Sequence, residues 1–265
     1  MKLPLYHVDA FTDRVFSGNP AAICPLNEWL DDQTMLAIAA ENNLSETAFC
    51  VREGEQYGLR WFAPKSEVQL CGHATLATGF VVLNYLQPGA ATITFQTCSG
   101  LLSVKQDGEF LAMDLPLIPA RPCSPPPDLI SGLNPAPRRV LESGKSVAER
   151  NYFVVYDNED EVRSAKPDLR QLEKLHPAGV CITAPGRHSD FVSRYFAPSY
   201  GIPEDPVTGS THCTLAPYWS ERLGKKVLHG RQVSERGGDL IVEARGERVI
   251  LKGKAVLYLE GALSL

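Results

Sequence analysis

The chain has 265 residues, of which 44 % are hydrophobic and 22 % are charged, and its formal net charge is -5. These are ordinary globular values, and the length suits one large domain or two small ones. No basic run exceeds two residues and no apolar stretch reaches the ~18 residues of a membrane span, so we expect neither a nucleic-acid nor a membrane partner. Seven cysteines without disulfide-framework spacing favour reduced thiols and a cytoplasmic location, and the lack of Cys-x-x-Cys or paired-His spacing argues against a metal site.

The first half is predicted to alternate short strands with two helices. Asp31 and Asp32 precede an amphipathic helix that ends near Asn42. The segment 74–86 is apolar on every face until Asn84, which predicts a buried helix. Apolar alternation and turn residues predict strands at 3–11, 21–24, 47–52, 57–62, 92–96, 100–106 and 109–115.

A proline-rich segment separates the two halves. Six prolines fall between residues 116 and 127. Because proline lacks a backbone N–H, we expect neither a strand ladder nor a helix in this segment. The predicted division is therefore a first domain at 1–115, a linker at 116–127 and a second domain at 128–255. The C-terminal strand at 256–265 is a candidate addition to the first domain.

The second half is predicted to follow a similar plan. A short helix is expected at 168–175 after Pro167, and a buried helix at 211–223 is closed by Gly224. Pro217 falls inside the buried helix, so we expect a kink or a delayed start there. The predicted strands are 140–142, 152–156, 180–183, 191–196, 239–244, 248–252 and 256–259.

The two halves carry the same sequence pattern. An aromatic-Phe-Ala-Pro block followed by His-x-Thr-Leu-Ala occurs at 61–77 and again at 195–216. Downstream, the stretch 100–109 aligns with 238–247. A repeat of this length indicates a duplicated domain. Since a helix that is apolar all round needs a curved sheet wrapped about it, we predict an α+β fold of two similar, pseudo-symmetric domains, each with a central helix.

Both central helices start after a turn of small residues, at 71–73 and at 204–211. A helix start has unpaired N–H groups and a partial positive charge, so it attracts anions, and Gly72 and Gly209 allow close approach to the backbone. If internal symmetry places the two starts face to face, the cleft between the domains suits a carboxylate substrate or a developing enolate. Ordinary helix capping is the simpler alternative.

Two titratable residues near these turns differ in how the repeat treats them. Glu46 opens a predicted strand, and the aligned position in the second half is Val180. A carboxylate present in only one copy indicates a specialised role, against the alternative of a solvated strand end. His73 is matched by His212, so it could serve either packing or chemistry in both halves.

Two further candidates are ambiguous by themselves. Asp205 precedes Pro206, and Asp-Pro is a common start of a turn. Cys71 is either a thiolate favoured by the helix start or a small buried residue.

Five motifs of the chain together resemble one family. They lie at 8–11 (VDAF), 17–20 (SGNP), 43–49 (NLSETAF), 70–75 (LCGHAT) and 201–210 (GIPEDPVTGS). In this order they resemble the phenazine-biosynthesis isomerases, the PhzF-like proteins. The resemblance implies a fold similar to diaminopimelate epimerase, in which each half is a mixed β-barrel around a helix. It also implies proton transfer without a cofactor, a small carboxylate substrate and a homodimer.

The same resemblance implies roles for individual residues. Glu46 matches the acid/base glutamate of the family, and His73 and Asp205 match its supporting polar residues. The positions expected to contact substrate are Asn19, Cys71, Gly72, Gly209, Ser210 and Thr211. The epimerases of this fold use two opposed cysteines, whereas here Asp205 lies near the second position. A two-thiol racemase is therefore disfavoured.

The resulting hypothesis is an isomerase in which Glu46 moves a proton on the substrate, with His73 and Asp205 in support. One alternative is a binding protein that keeps the cleft but performs no chemistry. Another is a thiol hydrolase built on Cys71 and His73. Against the hydrolase, these two side chains are two positions apart on a tight turn and need not meet, and no acid is evident nearby to orient the histidine.

Overall fold

The computed structural model describes residues 1–144 and 150–265. Contacts within the chain define two compact units, Met1–Leu115 with Ile250–Leu265, and Pro116–Val249. The residues predicted as a linker, 116–127, are thus counted with the second unit. Ile250–Leu265 is counted with the first, so that residues 250–255, which the sequence-based division gives to the second domain, lie with the first unit.

Strands form most of both units. In the described residues they are β1 (Lys2–Ala10), β2 (Asn19–Leu26), β3 (Glu46–Glu53), β4 (Gln56–Ala63), β5 (Ser66–Val68), β6 (Thr92–Thr97), β7 (Gly100–Asp107), β8 (Phe110–Pro116), β9 (Arg121–Pro122), β10 (Arg139–Ser143), β11 (Asn151–Val155), β12 (Gly179–Pro185), β13 (Phe191–Ala197), β14 (Ile202–Asp205), β15 (Val227–Gln232), β16 (Gly238–Arg245), β17 (Arg248–Gly253) and β18 (Ala255–Ser264). Every predicted strand overlaps one of these. The strands β5, β9, β14 and β15 were not predicted.

The two units pair their strands in the same order. In the first unit β1–β2 is antiparallel, β2–β3 parallel, β3–β4 antiparallel, β4–β6 parallel and β6–β7 antiparallel. In the second unit β10–β11, β11–β12, β12–β13, β13–β15 and β15–β16 repeat this alternation. The first unit also has β18 paired with β1. The duplicated sequence pattern therefore corresponds to a duplicated strand topology.

One helix in each unit packs on several strands. The helices are α1 (Asp32–Asn42), α2 (Gly72–Val81), α3 (Pro127–Gly132), α4 (Glu159–Ser164), α5 (Leu169–Glu173) and α6 (His212–Leu223). The helix α2 packs against β1, β2, β3 and β7, and α6 packs against β15 and β16. A π-helical turn, Val82–Leu86, extends α2, so the segment predicted as one helix changes its hydrogen-bond pattern midway. Within the described ranges, none of the helices is long and apolar enough to cross a membrane.

The helix α2 approaches the sheet closely at Gly79. A Cβ atom at this position would lie 2.5 Å from Cγ1 of Val104 on β7. Real Cβ contacts are longer than this, so any larger residue would push the helix away from the strand. This close packing explains why the helix is buried on nearly every face, as its apolar sequence predicted.

The proline-rich segment forms more structure than we predicted. Its strand β9 pairs with β10, with Pro122 opposite Leu141. The helix α3 begins at Pro127. A proline at the end of a short strand or in the first turn of a helix forfeits no necessary hydrogen bond. The prediction that this segment holds neither a strand ladder nor a helix was therefore wrong.

Pro217 does not delay the start of α6, which begins at His212 and runs to Leu223 with Gly224 as its C-cap. Proline at this position cannot donate to the carbonyl four residues earlier, that of Cys213. The backbone N–H of Ile118 donates to that carbonyl instead, at 3.1 Å. Of the two predicted outcomes, a kink or a delayed start, the delayed start was wrong because another segment supplies the missing hydrogen bond.

Candidate functional site

Glu46 is the first residue of β3 and lies beside Ala21 of the parallel strand β2. The helix α1 ends at Asn43, whose left-handed backbone (φ 50°) turns the chain toward this strand. The Glu46 side chain is largely buried, with 8 % of the residue exposed. The local sequence thus ends a helix and shortly afterwards places a carboxylate at the buried start of a strand.

His73 lies beside this carboxylate. It is the second residue of α2, and its Nε2 lies 3.2 Å from Oε2 of Glu46. Burial lowers the pKa of His73 to about 3 and outweighs the opposite effect of a hydrogen bond to the backbone of Pro20. The ring is therefore neutral near pH 7, so its approach to Glu46 is a close polar contact between a neutral imidazole and a carboxyl group rather than an ion pair.

The other ring nitrogen of His73 has two neighbours. Nδ2 of Asn19 lies 3.2 Å from Nδ1, and Sγ of Cys71 lies 3.4 Å from it. An amide nitrogen can only donate and a thiol can donate, so both contacts allow Nδ1 to accept. With its hydrogen bond to the backbone of Pro20, the ring is thus held by three neighbours while it lies beside Glu46.

Asn19 reaches His73 because the chain turns sharply just before it. Gly18 has φ 68°, and a Cβ atom there would lie 2.1 Å from the carbonyl oxygen of Ala10. Only glycine fits that turn without displacement. The turn starts β2 at Asn19 and leaves its side chain fully buried.

The donor atoms of Glu46, Cys71 and His73 all lie within 4.8 Å of one another. Carboxylate, thiolate and imidazole are also the ligand types of zinc sites. Cys71 contacts Nδ1 of the ring, however, and Glu46 contacts Nε2. One ion can bind only one of these nitrogens.

The second unit contains the other predicted residues in the loop before α6. Asp205 is the last residue of β14 and is buried. Oγ1 of Thr208 donates to its Oδ2 at 2.5 Å. Gly209 is buried and Ser210 is exposed, and their carbonyl groups accept from the N–H groups of the first residues of α6. The loop is therefore an internally bonded turn that leads directly into the central helix.

Thr211 precedes α6 but does not cap it with its side chain. Its hydroxyl donates to the carbonyl of Thr208 at 2.8 Å, and Nδ1 of His212 lies 2.8 Å from the same oxygen. Because a carbonyl only accepts, Nδ1 of His212 carries the proton. Burial lowers the pKa of His212 to about 4, against the opposing effect of that hydrogen bond.

The two matched histidines therefore differ in surroundings. His73 faces the carboxylate of Glu46, whereas His212 bonds to its own loop and packs 5.7 Å from the ring of Phe191. The strand registers correct the predicted match of Glu46 with Val180: Thr47 pairs with Phe62 and Val180 pairs with the matched Phe196, so Gly179 occupies the place of Glu46. The duplicated scaffold thus holds a carboxyl group beside an imidazole in its first unit, and a glycine occupies the carboxyl position in its second.

The predicted site residues form two groups, one in each unit. The first unit brings together Asn19, Glu46, Cys71 and His73, with Gly72 between the last two. The second unit brings together Asp205, Gly209, Ser210 and Thr211 on one loop. Sequence reasoning missed two polar side chains beside this loop, Thr208 and Gln232. Thr208 lies inside a recognised motif, whereas no local sequence signal distinguishes Gln232.

Comparisons with known proteins show which family and which solved structures the chain is similar to. The family model described as phenazine biosynthesis-like protein, PhzC-PhzF, matches residues 8–261. A Pseudomonas aeruginosa protein named as an uncharacterized isomerase is 49 % identical over 265 residues, covering 100 % of both chains. The crystal structure of a PhzF-family phenazine biosynthesis protein from Enterococcus faecalis has a TM-score of 0.94 at 43 % identity, covering 100 % of each chain.

A more distant likeness concerns the fold alone. The crystal structure of a probable proline racemase from Agrobacterium radiobacter has a TM-score of 0.65 at 10 % identity, covering 99 % of this chain and 93 % of that one. The predicted α+β class and its diaminopimelate epimerase-like architecture are thereby confirmed. Since the family model spans nearly the whole chain and a full-length relative shares almost half of its residues, the chain belongs to the PhzC-PhzF family of phenazine biosynthesis-like proteins.

Proposed function

We propose that this protein is a cofactor-independent isomerase that moves a proton on a small carboxylate-bearing substrate, with Glu46 as the acid/base group. The observation that carries the proposal is the buried contact between Glu46 and the neutral imidazole of His73. The second copy of the duplicated fold has Gly179 at the place of the carboxylate, so the fold itself does not require Glu46. Relatives named as isomerases support the same reaction class.

In this mechanism Glu46 takes a proton from a substrate carbon and returns it to another position of the same π-system. A positioned acid/base group typically contributes about 10²–10⁴ to the rate. The ring of His73, whose Nε2 lies 3.2 Å from Oε2 of Glu46, would limit the orientations open to the carboxylate. The imidazole does not take the proton itself, since burial keeps the pKa of His73 far below neutrality.

The remaining predicted residues would bind the substrate. The starts of α2 and α6, at Gly72 and at Gly209 to Thr211, present backbone N–H groups that suit a carboxylate or the charge that develops beside it. Asp205 would hold a polar substituent that can donate a hydrogen bond.

The proposed reaction is tested by hydrogen exchange from solvent. A panel of small 2-amino, 2-hydroxy and unsaturated carboxylic acids is incubated with the protein in D2O, and deuterium uptake is followed by mass spectrometry. Glu46→Gln should reduce uptake by about 10²–10⁴. Glu159→Gln is the matched control because Glu159 is similarly buried, at 6 % exposure, and lies in the second unit. Uptake that is undiminished in Glu46→Gln rejects the proposal.

A thiol hydrolase is the second candidate, and one contact favours it more than the sequence suggested. Cys71 and His73 do meet, and Glu46 lies on the far side of the ring, so both of our sequence-based arguments against a thiol site were wrong. The low pKa of His73 still makes the ring a weak base for activating a thiol. Cys71→Ala separates the two functions: an isomerase keeps its deuterium uptake, and a hydrolase loses its activity.

A further inference from the structure

We propose that Gln232 is a positioning residue of this proposed isomerase, because its side-chain amide sets the direction of the hydrogen bond that Thr208 donates to the Asp205 carboxylate. The inference rests on the proposed function, in which Asp205 contacts the substrate. Gln232 has no place in the motifs of the sequence.

Gln232 ends β15 and is fully buried. Its Oε1 accepts the backbone N–H of Thr208 at 2.9 Å. Its Nε2 donates to the carbonyl of Asp205 at 2.7 Å and lies 3.2 Å from Oγ1 of Thr208. All three contacts reach one loop, across 24 to 27 positions of the chain.

These contacts determine which way the amide points. A backbone N–H only donates, so the group facing it must be the side-chain oxygen of Gln232. A backbone carbonyl only accepts, so the group facing Asp205 must be the nitrogen. The orientation of the Gln232 amide therefore follows from the donor and acceptor roles of its backbone partners.

The orientation of the amide then determines the orientation of the hydroxyl. Because Nε2 of Gln232 donates to Oγ1 of Thr208, the hydroxyl proton of Thr208 is free to point at Oδ2 of Asp205. These hydrogen bonds run in one direction, from the Gln232 amide to the Thr208 hydroxyl and from there to the Asp205 carboxylate. They hold the Asp205 carboxylate in one rotamer as a hydrogen-bond acceptor. A residue that binds a donor group of a substrate must be held in this way.

The first unit shows that the fold does not need this amide. The strand β6 pairs with β4 and β7 in the same way as β15 pairs with β13 and β16. Thr97 pairs with Gly100 at the end of β6, and Gln232 pairs with Gly238 at the end of β15. The hydroxyl of Thr97 donates to Gly100 within its own hairpin, at 2.7 Å. The longer, loop-directed side chain is therefore specific to the second copy.

Another hydrogen bond to the same loop involves neither Asp205 nor Thr208. Oγ of Ser234 donates to the carbonyl of Pro206 at 2.7 Å. Ser234→Ala removes this hydrogen bond and the one that Oγ accepts from the backbone N–H of Gly237 at 3.1 Å, neither of which involves Asp205 or Thr208. This variant therefore distinguishes a general loosening of the loop from the loss of the hydrogen bonds that run from Gln232 to Asp205.

The experiment compares two substitutions of Gln232 that keep most of its volume. Gln232→Leu removes both polar groups. With its carboxyl group ionised, Gln232→Glu can still accept the N–H of Thr208 but cannot donate to Asp205 or to the Thr208 hydroxyl. Thr183→Val is the control for lost buried hydrogen bonds, because the fully buried Thr183 hydroxyl bonds to Val192 and Trp219 and contacts none of the loop residues named above.

Two measurements are made by NMR on the intact protein without substrate. Gln232→Leu should speed exchange of the Thr208 amide about tenfold relative to Thr183→Val, and Gln232→Glu should restore most of the protection. The 13Cγ signal of Asp205, assigned with Asp205→Asn, should shift in both Gln232 variants and stay in place in Ser234→Ala and Thr183→Val. Unchanged Thr208 exchange in Gln232→Leu, or an unmoved Asp205 signal in both Gln232 variants, overturns the inference.

Turnover of any compound found in the deuterium panel adds the catalytic readout. Both Gln232 variants should lower kcat by at least about tenfold, since small misplacements of a positioned group are costly. Wild-type kcat in both variants overturns the catalytic role. If Glu46→Gln leaves exchange undiminished while the Asp205 signal moves as expected, the proposed reaction fails and the positioning of Asp205 by Gln232 stands.

Discussion

Nε2 of His73 lies 3.2 Å from Oε2 of Glu46, and both side chains are almost completely buried. Burial keeps the imidazole neutral, so this is a close polar contact rather than an ion pair. The contact joins the start of a helix to the start of a strand in the first unit. It makes the orientation of Glu46 dependent on the ring.

The first prediction concerns this dependence. His73→Leu removes the polar ring that lies beside Glu46 and should lower deuterium uptake by the proposed substrate about 10-fold to 100-fold. His73→Gln can place an amide N–H where Nε2 lies and should recover a large part of that loss. Mass spectrometry of uptake in D2O measures both. Equal uptake in His73→Leu and wild type would show that Glu46 needs no partner.

The second prediction concerns stability against acid. The pKa values of His73 and His212, about 3 and about 4 in the folded protein, lie below the ordinary value of 6.5. The unfolded chain therefore binds more protons than the folded chain between pH 6.5 and these values. The stabilisation is complete above pH 6.5 and is lost as the pH falls. Each histidine should contribute a slope of about 1.4 kcal/mol per pH unit.

Urea unfolding between pH 5 and 7 tests this slope. His212→Asn keeps a donor for the Thr208 carbonyl but cannot titrate, so its unfolding free energy should fall less steeply with acid. His188→Asn, at an exposed position, should keep the wild-type slope. A slope in His212→Asn equal to that of the wild type would contradict the assignment of a neutral, buried ring.

The third prediction concerns the close approach of α2 to β7. Gly79→Ala should destabilise the protein by about 1–3 kcal/mol because the added methyl group overlaps Val104. Gly261→Ala is the matched control, since a Cβ there meets only Leu259 at an ordinary 3.5 Å. Thermal unfolding compares the two. Val104→Ala in the Gly79→Ala background should recover part of the loss, and no recovery would mean that the helix is held away by other contacts.

The fourth prediction concerns thiol reactivity. Cys98 is exposed, whereas Cys24, Cys50, Cys181 and Cys213 are buried, and burial raises the pKa of each of these four thiols. An aromatic disulfide reagent at pH 8 should therefore react quickly with Cys98 and slowly with the four buried thiols. Cys98→Ser should remove the fast phase. Persistence of that phase in the variant would place the reactive thiol elsewhere.

Much of the fold could be predicted because its signals are local. Strand alternation, the acidic caps before α1 and the apolar stretch of α2 each reflect burial of a few neighbouring residues. The strands that were missed are either short, such as β5 and β14, or rich in polar residues. An example of the second kind is β15, which contains His229, Arg231 and Gln232. The predictions of an unstructured linker and of a delayed start of α6 failed for a different reason. The strand β10 pairs with Pro122, and the N–H of Ile118 bonds to the carbonyl that Pro217 leaves without a helical partner. Neither partner can be identified from a local pattern.

The candidate site divides in the same way. By itself the sequence determined the duplication, the two small-residue turns before the central helices and the single copy of Glu46, because each is a matter of residue type and order. Only the tertiary structure decided that Asn19 meets His73 across 54 positions and that Gln232 bonds to Thr208 across 24. Such contacts are selected by the packing of whole strands, and a buried amide leaves no periodic trace in the sequence from which its partner could be inferred.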